Sequence, residues 1–93
     1  MAFYEVDLRG EFFPLHDKGR WKLFGFETTC HVEADSAQNA EMEAVKLIHI
    51  DPIWQHIRPR PGFPTPRLYP EGTVSADPAE FSLPEYDLYR MVK

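Results

Sequence analysis

Along residues 23–34, apolar and polar positions alternate with a period of two. Phe24, Phe26, Thr28, Cys30, Val32 and Ala34 fall on one side, and Gly25, Glu27, Thr29, His31 and Glu33 on the other. That period places successive side chains on opposite faces of a strand with one buried face. The alternation stops at Asp35-Ser36, where the spacing changes. Asp35 followed by Gln38 resembles a capping box, and Ser36 is an alternative cap one residue later. From there Ala37, Ala40, Ala44, Val45, Leu47 and Ile48 gather on one stripe at about 100° per residue, which predicts an amphipathic helix. Small alanines allow it to approach a sheet closely. Asp51-Pro52 ends the helix, because the residue before proline is pushed out of helical geometry, and Pro52 can open one further turn anchored by Trp54 and Ile57.

A first strand is predicted over 2–9, with Tyr4, Val6 and Leu8 on one face and Glu5, Asp7 and Arg9 on the other. Residues 10–21 contain Gly10, Pro14 and Gly19 among scattered charges and read as a long hairpin connection, with Phe12, Phe13 and Trp21 as local anchors. Further on, Leu68-Tyr69 and Thr73-Val74 suggest a short edge strand turned by Glu71-Gly72, and a last strand is predicted over 86–92. The expected fold is therefore α+β in the order β-β-α-β-β. It is a two-layer sandwich in which one main helix covers one face of an antiparallel sheet of three to four strands, leaving the other face wet.

Ninety-three residues make one domain, and a chain of this length buries only about 60–65% of its unfolded surface. The net charge of -5 is unevenly spread. Residues 1–57 are acidic, residues 58–67 carry Arg58, Arg60 and Arg67 with no acid, and residues 68–93 are acidic again. A broad basic surface for nucleic acid is therefore disfavoured, whereas an acidic surface suits a basic protein partner. Five of the nine prolines lie between Pro59 and Pro70, four of them within the cationic stretch. This stretch reads as a polyproline-like arm or crossover at about 58–67, and Arg58-x-x-Pro61-x-x-Pro64 matches the pattern that aromatic grooves recognise. The lone Cys30 excludes an internal disulfide and reads as a small buried hydrophobe. Residues 1–10 lack the pattern of a signal peptide, no apolar run is long enough to span a bilayer, and the expected compartment is the cytosol.

Candidate chemistry concentrates on the polar sheet face. Glu5 and Asp7 from the first strand and Glu27, His31 and Glu33 from the second supply carboxylates and a histidine, the raw material of a binding, metal or acid–base site. A solvated sheet face carries the same residues. His49 and His56 are separated by Pro52, which breaks any shared helical register. Phosphate loops, paired cysteines, nucleophile elbows and zinc-protease helices are all absent from the sequence, which ranks a binding module above an enzyme. Neither cofactor nor metal is expected.

The segment Gly25-Phe26-Glu27-Thr28-Thr29-Cys30-His31-Val32-Glu33-Ala34, with Ala40-Glu41 and the later Pro66-Arg67-Leu68-Tyr69, resembles a family of small uncharacterised bacterial proteins. The resemblance covers about half the chain, implies a bacterial or phage origin and supplies no activity. Members of that family close with an aromatic segment that differs from the Glu85-Tyr-Asp-Leu-Tyr-Arg end of this chain. More distantly, the element order is similar to HicB-type antitoxins, although the Gly-Cys segment that precedes their helix is missing. The function expected is noncatalytic protein–protein interaction, in the manner of an inhibitor or antitoxin-like regulator, through the acidic face or the arginine-bearing arm. The alternatives are an enzyme or metal site around His31, and a homodimer formed at an unprotected edge strand.

Overall fold

Alternation between apolar and polar residues builds a long first hairpin, and the rest of the fold is laid on it. The computed structural model describes residues 2–54, 62 and 64–91. Strand β1 spans Ala2–Asp17 and β2 spans Arg20–Ala34. Helix α1 spans Ala37–Ile50, followed by a 3₁₀ turn at Pro52–Trp54. Strand β3 spans Arg67–Ser75, a second 3₁₀ turn lies at Pro78–Glu80, and β4 spans Tyr86–Met91. All neighbouring strands are antiparallel, in the order β3-β1-β2-β4. The fold is α+β, with a four-stranded sheet and one main helix.

Residues 10–21 are not a long connection. β1 continues to Asp17 and turns through only Lys18 and Gly19, whose φ angles of 51° and 81° form the left-handed pair of a tight hairpin. A bulge between Gly10 and Phe13 lets two residues of β1 face one of β2, and Phe12 takes φ 59° there. The extra residue shifts the inward parity of β1 from Val6 and Leu8 to Phe13 and Leu15. Pro14 is compatible with a strand at this point because β3 pairs with β1 only as far as Glu11, so beyond it β1 is an edge. β3 is likewise one continuous strand through Glu71 and Gly72, where a turn was expected.

The core lies between α1 and one sheet face. Val6, Leu8, Phe26, Cys30, Val32 and Ala34 meet Ala40, Ala44 and Ile48 of the helix, while Ala37 is exposed and Phe24 half-buried. Ser36, and not Asp35, caps the helix: its hydroxyl accepts the Asn39 amide at 3.2 Å. An aromatic group of Phe13, Phe26, Trp54 and Tyr86 closes one end, with Phe26 stacked on Trp54 at 5.0 Å. Gly10 is what admits this group, because a Cβ there would lie 2.2 Å from the Phe26 ring. Cys30 is fully buried, as expected, and loss of solvent followed by the charge of Asp51 pushes its thiol up to about 11. No described helix is long and apolar enough to cross a membrane.

Candidate functional site: an acidic cleft on the outer sheet face

β3 and β4 occupy opposite edges of the sheet, so the chain between them has to cross two strands. Residues 76–85 do this over the face opposite the helix. The Ala76 amide donates to the Phe3 carbonyl at 2.9 Å, and the Phe81 ring packs on Phe3 and on His31, each at 5.3 Å. The outer face is thus partly roofed and not uniformly wet. Between the roof and the strands lies a cleft of about 610 Å³, lined by Asp7, Glu27, Thr29 and His31 from the sheet and by Glu71, Ser82, Leu83, Glu85 and Asp87 around its margin.

The antiparallel register sets the floor. Glu5 stands opposite His31, Asp7 opposite Thr29, and Arg9 opposite Glu27, which in turn stands opposite Asp87. Directly opposed residues share a face, with Cβ atoms about 5 Å apart. Accordingly, the Thr29 hydroxyl donates to Asp7 at 2.7 Å, and His31 Nε2 lies 3.3 Å from a Glu5 carboxylate oxygen. The His31 side chain is only 9% exposed, and its Nδ1 is buried without a partner among the described residues. At the wall, the Thr28 hydroxyl donates to the Glu85 carbonyl at 2.6 Å and fastens the crossing segment to β2.

Charge in the cleft is one-sided. Among the described residues, five carboxylates line it and no Lys or Arg does. Arg9 lies to one side, paired with Glu11 and with Glu71 at 3.0 Å, its guanidinium 4.7 Å from the Tyr69 ring centre. Among the described residues, no cation pairs with Asp7, Glu27, Glu85 or Asp87.

Of the residues singled out from the sequence, Asp7, Glu27 and His31 are brought together here, with Glu5 behind His31 as its partner. Glu33 is exposed and faces Phe3, outside the cleft. Arg67 begins β3 opposite Glu11, away from the cleft lining, while Arg58 and Arg60 lie outside the described residues, as does His56. Sequence reading missed Glu71, Glu85 and Asp87, which local periodicity does not connect to the first hairpin. Among the described residues, no three His, Cys, Asp or Glu side chains converge closely enough to hold a metal ion. Comparison with protein-family models, with characterised proteins and with solved structures found no match to this chain.

Proposed function

We propose that this is a small noncatalytic binding protein whose outer cleft receives a lysine- or arginine-bearing segment of another protein. The observation that carries the reading is the convergence of Asp7, Glu27, Glu85 and Asp87 on one cleft with no cation paired to them among the described residues. Carboxylates gathered in a concavity repel one another and draw an incoming cation, which speeds encounter and selects for basic partners. Exposed Leu83 at the rim adds an apolar contact beside the charges. An inhibitor or antitoxin-like regulator that masks the basic cleft of a nucleic-acid enzyme is the concrete form of this proposal, and it belongs in the cytosol.

Titration of the ¹⁵N-labelled protein with a short lysine- and arginine-rich peptide tests the reading. Amide shifts are expected at Asp7, Glu27, His31 and Leu83, with binding weakened by salt. The double variant E27Q/D87N should bind about tenfold more weakly, equivalent to about 1.4 kcal/mol, whereas E33Q, outside the cleft, should bind as wild type. Equal losses in both variants, or shifts scattered over the whole surface, would refute a specific site. Selective broadening of His31 by zinc, with no response to the peptide, would instead favour a metal-dependent role.

A further inference from the structure

The two edges of the sheet are built differently. β3 contains Pro70, which has no N–H to offer, and its pairing with β1 is interrupted between Asp7 and Leu8. Both features blunt an edge against further pairing. β4 has neither: each residue of Tyr86–Met91 retains its N–H, its pairing with β2 runs without a break, and no described strand covers its other side. Leu88 and Tyr89, in the middle of β4, are each 44% exposed.

We propose that β4 pairs antiparallel with β4 of a second copy, joining the two sheets into one of eight strands about a twofold axis at Leu88. The chemistry of the edge selects both the partner and the register. Twofold pairing of antiparallel strands sets some residue directly opposite itself, so centring on Asp87 or on Arg90 would oppose like charges. Centring on Leu88 opposes two exposed leucines and brings Arg90 of the second copy beside Tyr86. That position carries a waiting anion. The Tyr86 hydroxyl donates to Asp51, and neither Asp51 nor Arg90 has an ion-pair partner among the described residues. Tyrosine and arginine are of similar length, so the incoming guanidinium reaches the height of the Tyr86 hydroxyl on the helix side of the sheet. A centre at Tyr89 would instead set Arg90 opposite Leu88 and leave both charges unpaired. The leucine-centred register also seats Tyr89 of the second copy opposite Asp87, at the margin of the outer cleft.

Light scattering and site-directed cross-linking test this directly. The wild-type chain is expected at twice its 10.9 kDa mass at micromolar to millimolar concentration. Arg90→Glu, an exposed substitution, should raise the dimer dissociation constant about tenfold or more by placing a carboxylate against Asp51. Under mild oxidation Leu88→Cys should yield a disulfide-linked dimer, because only at the twofold centre do identical residues approach within bonding geometry, while Asp87→Cys and the wild type with its buried Cys30 should not. A monomer at every concentration, cross-linking at residue 87 in place of 88, or a dimer indifferent to Arg90→Glu would each overturn the proposal.

Discussion

The Tyr86 hydroxyl donates to a carboxylate oxygen of Asp51 at 2.7 Å, across 35 residues of chain. The first residue of the last strand is thereby tied to the residue that ends the helix. Asp51 is engaged on its other oxygen too, accepting the Ile53 amide at 3.1 Å as the 3₁₀ turn begins. This one carboxylate therefore joins the end of α1, the turn that delivers Trp54 to the core, and the edge strand. Tyr86→Phe keeps the ring contacts with Phe26 and Trp54 but removes a donor from a half-buried anion. The expected cost is about 1–3 kcal/mol, the usual penalty for stranding a buried polar group, read as a lower urea midpoint with an unchanged slope.

Burial of two weak acids makes the fold sensitive to alkali. Loss of solvent, reinforced by the Asp51 charge, pushes the Cys30 thiol from 9.0 up to about 11, and burial together with the bond to Asp51 raises the Tyr86 phenol above its usual 10.0. Above pH 9 the unfolded chain gives up the thiol proton while the folded chain keeps it. The native state is therefore fully favoured by this group below pH 9 and loses that advantage between pH 9 and about 11, with the Tyr86 contribution fading from pH 10 upward. Thermal midpoints should fall across this window in the wild type and fall less in Cys30→Ala. A wild-type midpoint that is level from pH 8 to 11 would contradict the burial argument.

What was legible in the sequence divides along a physical line. β2 and α1 were readable because each holds one period without interruption, and the period itself dictates which face is buried. The distal half of β1 was not. Its bulge at Glu11 and Phe12 moves the apolar residues from even to odd positions, and the turn at Lys18-Gly19 lacks the asparagine that usually marks such a hairpin. The cleft divides in the same way. Asp7, Glu27 and His31 share a face by simple alternation, whereas Glu71, Glu85 and Asp87 arrive through long-range pairing of β3 and β4 on opposite edges, which no local pattern encodes.

Gly10 and Gly72 are both strand glycines, yet substitution should separate them sharply. At Gly10 a methyl group would lie 2.2 Å from the ring of Phe26, which is fully buried and has nowhere to go, whereas at Gly72 nothing among the described residues lies within 4 Å. Gly10→Ala is expected to cost about 1–3 kcal/mol through overpacking. Gly72→Ala should be neutral or stabilising by about 0.5 kcal/mol, since it restricts the unfolded chain without a clash. Side-by-side urea denaturation decides the matter, and equal effects would mean that the Phe26 ring is not held against Gly10 as described.

The Lys18-Gly19 turn offers the opposite opportunity, a stabilising change outside both the core and the cleft. Lys18 is exposed and held at φ 51°, a left-handed conformation that costs most side chains about 1–2 kcal/mol. Asparagine tolerates that region better and gives the favoured residue pair for a two-residue hairpin. Lys22 already pairs with Asp17 at 2.9 Å, and no ion pair of Lys18 is present among the described residues, so removing its charge breaks no such contact. Lys18→Asn should therefore raise stability by about 0.5–1 kcal/mol, a gain of several degrees in Tm for a domain of this size. Because the change lies at the far end of the hairpin, peptide binding at the cleft and the association state of the protein should stay as in the wild type. A lowered Tm would show that Lys18 makes a contribution that outweighs its backbone strain.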